Sequence, residues 1–256
     1  MTAYNDMEIM IVAAARELEN GATVAVGTGA PCAAAMLAQK THARDLIIMF
    51  EAGGISPCLV DMPISVGDSR TFHRASKAGS MGDVMDACAR GSVDYTFLGG
   101  AQIDMYGNLN STMIGTNHQK PTVRFPGSGG ANDFASLCWR TMVLTVQDKR
   151  RFVEKLDFMT TPGWLDGGDS REKSGLPPGT GPYRIITNMA VMDFEPVSKR
   201  MRVISIHSGF SFEDIQAHCG FKLIKAETLA HTPDPTDLEL SVLRKDVDPK
   251  GYLIGR

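Results

Sequence analysis

No stretch of this sequence approaches the run of about 18 consecutive apolar residues that a membrane-spanning helix needs, so no membrane span is expected. Neither sign of charge is in large excess. Across 256 residues the formal charge is -3, and the longest basic run is Lys149-Arg150-Arg151. That balance gives no electrostatic case for nucleic acid or an anionic membrane as a partner. No secretory leader is expected either, since the first twenty residues carry Asp6, Glu8, Glu17 and Glu19 without a basic n-region. A cytoplasmic protein is expected. Cysteines are few and unpatterned: Cys32, Cys58, Cys88, Cys138 and Cys219 are odd in number, far apart, and form neither CxxC nor paired Cys/His spacings. The six histidines are equally scattered. Reduced, mostly buried thiols and no metal site are expected, and His207, which follows a strand-like run, reads as a packed or hydrogen-bonded residue.

What is present is an ordinary globular composition, 43% hydrophobic and 21% charged, in alternating helical and strand patterns. Met7, Met10, Ile11, Ala14 and Leu18 recur at helical spacing over residues 6–19, with Asn20-Gly21 as the stop. "TVAVG" (23–27) reads as a strand, "PCAAAMLAQK" (31–40) as a helix opened by Pro31, and "DLIIMF" (45–50) as a strand. A second cycle pairs a helix over 81–91 with a strand over 93–100. Continuous apolar strands need both faces covered and parallel neighbours need a crossover, so the expected fold is α/β, a mainly parallel central sheet flanked by helices. Further on, residues 122–137 pass from a strand through Pro126, Gly127, Gly129 and Gly130 into a helix, and 141–146 return to strand. The Gly-, Pro- and Asp-rich stretch from Thr161 to Pro182 reads as an exposed excursion. Strands over 183–196 and 201–207, joined by a turn at Pro196 to Lys199, form a late hairpin-like element, and a helix capped by Ser211 follows over 211–220. No linker divides the chain, and one domain over 1–256 is expected.

Three glycine-rich turns each follow a strand: Gly27-Thr28-Gly29, Glu51-Ala52-Gly53-Gly54 and Gly99-Gly100-Ala101. Loops after parallel strands gather at the carboxyl edge of a sheet, where ligands bind. The first turn starts like a dinucleotide fingerprint, but Cys32 stands where the third glycine belongs, which argues against that site. Gly127-Ser128-Gly129-Gly130 lacks the lysine of a P-loop. A glutamate at a strand end is by generic chemistry more often a solvated terminus than a nucleophile, so local pattern leaves Glu51 open between the two.

The sequence resembles the β subunit of the class I coenzyme A transferases, of the glutaconate CoA-transferase type. The segments that carry the resemblance are "GTGAP…AQKTHARDLIIMFEAGG", "FLGGAQIDMYGNLNST" (97–112), "PGSGGANDFAS" (126–136), "PYRIITNMAVMDFE" (182–195), "MRVISIHSGFSFEDIQAHCGF" (201–221) and "LRKDVDP" (243–249). The resemblance implies a CoA-transferase-like open sheet, with Glu51 as the nucleophile that carries CoA as a glutamyl thioester. It implies Gly129 and Gly130 as oxyanion and CoA-binding donors, with Gly29 and Gly53 as further candidates. It implies acyl-CoA and a carboxylic acid, of the dicarboxylic kind, as substrates, no permanently bound cofactor, and a homologous α subunit in dimers of heterodimers or larger assemblies. Relatives on this pattern include CoA-thioester and ring-opening hydrolases and a decarboxylase, which lack the glutamate at this position, and these are the alternative activity. Gln102, Asp104, Tyr106, Asn108 and Asn110 read as turn and capping residues ahead of substrate ligands. Arg124 and Arg184 read as surface ion-pairing residues rather than carboxylate clamps.

Overall fold

The structure, a computed structural model, describes residues 3–255. The chain forms two compact units, one from residues up to Phe97 together with those from Pro233 onward, the other Leu98–Thr232.

In the first unit, helix α1 (Asp6–Arg16) opens with a capping box: the Asn5 side chain accepts from Glu8 N at 3.0 Å while the Glu8 carboxylate accepts from Asn5 N at 3.0 Å. Glu8 is only 2% exposed, and its charge is met by a bidentate pair from Arg244 at 2.6 and 2.8 Å. The helix ends at Arg16, three residues short of the expected end at 19. Bonds from Glu17 N to Ala14 O and from Leu18 N to Ala15 O span only three residues, tightening and ending the last turn. α1 packs on α2 (Ala30–Lys40), where Cys32 to Ala38 are all buried and four small alanines permit the close approach. Cys32, in place of a fingerprint glycine, is fully enclosed, and burial pushes its thiol up to about 12.

Strands β1 (Thr23–Val26) and β2 (Ile47–Phe50) run parallel, in register from Thr23↔Ile47 to Val26↔Phe50. Two-residue strands β3 (Gly54–Ile55) and β4 (Lys77–Ala78) extend this half-sheet antiparallel beyond β2. After helix α3 (Met81–Ala89), β5 (Tyr95–Leu98) pairs parallel on the other side of β1. The mainly parallel α/β architecture is as expected, and the consequence for function is local: the turns after β1 and β2 leave neighbouring strands at the same end.

The second unit begins with two small ribbons, β6 (Gln102–Ile103) with β7 (Leu109–Asn110) and β8 (Met113–Ile114) with β9 (Val123–Arg124). Helix α4 (Ala131–Leu137) leads into β10 (Arg140–Leu144). The excursion follows, with one short helix α5 (Ser170–Lys173), then the meander β11 (Pro182–Ile186), β12 (Ala190–Phe194) and β13 (Met201–Ile206), helix α6 (Phe212–Ala217) and β14 (Ile224–His231). β10 is parallel to β11 and β13 to β14, while β11, β12 and β13 are mutually antiparallel. The chain then returns to the first unit with α7 (Asp237–Val242).

Two sequence expectations change here. The strand expected over 183–196 is broken in two, because Thr187 Oγ1 accepts from both Met189 N at 3.1 Å and Ala190 N at 3.0 Å and turns the chain. The late hairpin is thus β12 and β13 of a three-strand meander. The excursion from Thr161 to Pro182 is not a solvated loop: Thr161, Gly163, Gly167, Arg171 and Thr180 are buried within it. Asn108 Oδ1 accepts from Gly163 N at 2.7 Å and from Leu165 N at 3.1 Å, satisfying backbone groups that would otherwise be stranded.

Candidate active site

Glu51 stands at the second position of a tight turn between β2 and β3, closed by a 2.9 Å bond from Gly53 N to Phe50 O. Its side chain is half-buried. Behind the turn lies another stretch of backbone, with Gly79 N donating to Gly53 O at 2.9 Å. A β-carbon on Gly53 would lie 2.3 Å from Gly79 O, and one on Gly54 would lie 1.9 Å from Thr71 O. Gly53 also sits at φ +113. The two glycines after the glutamate are therefore required by close backbone approach, which fixes where Glu51 leaves the sheet. The carboxylate is presented at the strand end by a turn that cannot slide backwards.

The other glycines differ in what their amides do. Gly53 N–H is committed to Phe50 O, as above. Gly29, at φ +79, is the N-cap of α2, and its carbonyl accepts from Ala33 N at 3.0 Å. Its own N–H has no acceptor among the described residues, and it follows β1, the parallel neighbour of the strand that carries Glu51. In the second unit, Gly129 (φ +48) is exposed, with no acceptor for its N–H among the described residues, and Gly130 is the buried N-cap of α4. The turn before them is anchored at Gly127 by a pair of 3.0 Å bonds with Ser111, Gly127 N to Ser111 O and Ser111 Oγ to Gly127 O.

The polar run after β5 does structural work. Asp104 accepts from Tyr106 N at 2.9 Å, Asn108 N at 3.0 Å and Asn108 Nδ2 at 2.8 Å. Burial pushes its carboxyl up, and these donors oppose the shift. Fully buried Asn110 donates to Gln102 Oε1 and Met113 O, both at 2.7 Å. Arg184 lies 3.9 Å over the Tyr183 ring, and Arg124 is exposed, its Nη2 reaching His118 O at 3.5 Å. Among the described residues no group of three or more His, Cys, Asp or Glu is placed to hold a metal ion, and no helix is long and apolar enough to cross a membrane.

The profile of the coenzyme A transferase family matches residues 7–218, more than four-fifths of the chain. The chain belongs to the coenzyme A transferase family. Among its relatives, the B subunit of the 3-oxoadipate CoA-transferase of Pseudomonas knackmussii is 40% identical over 245 residues, 95% of this chain and 94% of the relative. The B subunit of the glutaconate CoA-transferase of Acidaminococcus fermentans is 36% identical over 254 residues, 97% and 94% of the two chains. The crystal structure of glutaconate coenzyme A-transferase from the same organism superposes with a TM-score of 0.93 at 34% identity, covering 99% of this chain and 98% of the other. More distant similarity reaches a cholesterol ring-cleaving hydrolase IpdB subunit of Mycobacterium tuberculosis, 27% identical over 95% of this chain and 94% of the relative, and the decarboxylase AibA/AibB, at TM-score 0.83 and 25% identity with 99% and 100% covered.

Within this transferase-family chain, two supporting residues escaped sequence reasoning. Ser111 fixes the start of the Gly127–Gly130 turn, but nothing in its local pattern marks it. Arg171, 1% exposed, holds the end of α4 from within the excursion, yet a lone arginine among Gly, Pro and Asp reads as solvated. The glycine pair behind Glu51 gives a direct test of the turn. Gly54→Ala is expected to lower stability by about 3 kcal/mol, because the clash is with backbone that no rotamer change relieves. A urea unfolding midpoint equal to wild type would show that the turn tolerates the shift.

Proposed function

We propose that this chain is the β-type subunit of a CoA-transferase, moving CoA between an acyl-CoA and a carboxylic acid through a glutamyl-CoA thioester on Glu51. The observation that carries this reading is the half-buried glutamate fixed at a strand end by a glycine-backed turn, in a chain 40% and 36% identical to the B subunits of two CoA-transferases. A Glu51 oxygen attacks the thioester carbonyl carbon, the C–S bond breaks, and CoA leaves as thiolate from a mixed anhydride. The thiolate then attacks the glutamyl carbonyl of that anhydride, releasing the acyl carboxylate and leaving CoA on Glu51. An incoming carboxylate runs the same steps backwards and departs as the new thioester. The covalent route keeps the thioester's energy on the protein, provided water is excluded.

Each attack produces a tetrahedral oxyanion. The amides of Gly129 and Gly130 are the donors we favour, by resemblance, with Gly29 and Gly53 as further candidates; of these two, Gly53 ranks second because its N–H is already used within the turn. One oxyanion donor is worth about 3 kcal/mol of barrier. The distant hydrolase and decarboxylase relatives support a second reading, in which CoA thioesters are hydrolysed or decarboxylated. The greater identity to transferase subunits favours transfer. Relatives that are single subunits of larger enzymes imply a separate partner chain, and we propose a homologous α subunit that completes the enzyme, with the two units of this chain acting as one β-subunit domain.

The test is intact mass spectrometry of the chain, co-expressed with its partner, after incubation with glutaryl-, glutaconyl- or acetyl-CoA. A CoA-sized adduct that borohydride removes, reducing Glu51 to the alcohol, is the expected result. No adduct with any thioester, together with steady release of free CoA or carbon dioxide, would transfer the assignment to the hydrolase or decarboxylase reading.

A further inference from the structure

Asp248 is a buried carboxylate with no part in the transfer steps. It is 2% exposed, and no cation pairs with it among the described residues. Its oxygens are spent on backbone instead, Oδ1 accepting from Tyr252 N at 2.9 Å and Oδ2 from Leu253 N at 2.8 Å and Ile254 N at 3.1 Å. Burying that charge costs free energy that the three charge-assisted bonds offset, and the result is a turn over residues 250–254 held in one conformation. The turn is braced from both sides. Buried Ile254 accepts from Asn5 Nδ2 at 2.7 Å through its carbonyl, at the start of α1. Lys250 Nζ reaches Asp61 Oδ2 at 3.2 Å, Asp61 lies 3.6 Å from Arg70 Nη1, and the chain runs on from Arg70 into Thr71, whose carbonyl stands behind Gly54.

What this turn holds out is Tyr252, exposed, and Leu253, half-buried, with Leu253 Cδ2 4.0 Å from the place of a β-carbon on Gly29. The Gly29 turn leaves β1 beside the turn of Glu51, because Val26 and Phe50 are register partners. A half-buried leucine is ordinarily packing. Leu253 differs on two counts. Asp248 and Ile254 already anchor the turn without it, and apolar surface is scarce at this strand end, where residues 27–29 and 51–54 offer only Thr28, Glu51 and Ala52 as side chains. A reacting acyl group shielded from water needs an apolar neighbour for its carbon skeleton. Resting on the transferase reading, we propose that Leu253 is that neighbour, a wall beside Glu51 whose bulk sets the longest carbon skeleton accepted. Residue 253 lies beyond the stretch matched by the family profile, so membership of the family assigns it no role.

The experiment uses the co-expressed hetero-oligomer, with acetyl-CoA as donor and straight-chain mono- and dicarboxylic acids of three to eight carbons as acceptors, and compares kcat/KM along the series. One methylene in an apolar pocket is worth about tenfold or more in that ratio. Leu253→Ala should therefore move the optimum to an acid one or two carbons longer, with the longer acid gaining about tenfold over the acid that wild type prefers. Leu253→Phe should move the optimum to a shorter acid. Leu253→Val, one methylene smaller, shifts preference the same way as alanine and keeps the test open should the alanine variant fail to assemble. An unchanged order of preference in every assembled variant overturns the proposal, whether rates are kept or fall together, since a packing residue affects all acids alike. A wild-type enzyme that forms no glutamyl adduct with any thioester fails the transferase reading itself, an outcome that no Leu253 variant can produce.

Discussion

Glu51→Gln is expected to lower CoA exchange by at least about 10³-fold while leaving the melting temperature close to that of wild type. The two halves of that expectation come from different parts of the structure. The turn is held by backbone, through Gly53 N to Phe50 O and Gly79 N to Gly53 O, and by the exclusion of any side chain at positions 53 and 54. None of those contacts involves the glutamate side chain. An amide of the same shape therefore leaves those backbone contacts in place and removes the nucleophilic oxygen. Glu51→Asp separates charge from reach: it keeps the carboxylate but withdraws it by one methylene. A displacement of roughly 1 Å costs on the order of 10²-fold in a positioned reaction, so the aspartate variant should fall between wild type and the glutamine variant. Both are measured with the partner subunit, as incorporation of an isotopically labelled carboxylic acid into acyl-CoA. Glutamine and wild-type rates within tenfold of each other would remove Glu51 from the chemistry, since an amide cannot form the anhydride.

How far the sequence led depends on whether a feature was local. The β-α-β order at the start was legible because "TVAV" and "IIMF" are continuous apolar strands and the alanine-rich helix between them opens with Pro31. β14 was missed for the opposite reason: its eight residues, "IKAETLAH", are exposed or half-buried throughout and carry no apolar run. β3 and β4 have two residues each, too few for any periodicity, yet β3 makes the Glu51 turn a turn. Glu51 itself was legible only as an anomaly, a carboxylate before two glycines. Its neighbours in space, Thr71 and Gly79, are what make those glycines necessary, and sequence distance hides them. The polar run from Asp104 to Asn110 was rightly assigned to structure, because Asp and Asn side chains that can cap their own turn generally do so.

Arg171→Met is expected to destabilise the protein by about 3 kcal/mol or more and to lower kcat in what remains folded. The guanidinium is 1% exposed and has no carboxylate partner among the described residues. Burial pulls it down only to about 10, so it stays cationic at neutral pH. Its charge is spread over neutral acceptors: Nη1 donates to Gly163 O at 2.9 Å, and Nη2 to Ala135 O at 2.8 Å, Ser136 O at 3.1 Å and Thr180 Oγ1 at 3.0 Å. Methionine fills the space but strands those buried acceptors, at roughly 1–3 kcal/mol for each that finds no new donor. Relief of the arginine's own desolvation offsets part of this, which is why the net expectation sits near the lower end of the sum. Ala135 and Ser136 belong to the last turn of α4, where unpaired carbonyls and the negative end of the helix favour a cation. The same short helix starts at Gly130, so loosening its far end moves the amides proposed to receive the oxyanion. Those amides act most strongly on the transition state, so the loss should fall on kcat with little change in KM for the thioester. Arg171→Lys keeps the charge but not the fork, and should recover part of the stability and less of kcat. Urea unfolding at constant m-value checks the first effect, and steady-state kinetics well below the melting temperature check the second. A methionine variant as stable as wild type would mean that α4 and the excursion hold together without the arginine. A less stable variant with unchanged kcat would confine Arg171 to folding and leave the glycine turn positioned by Ser111 alone.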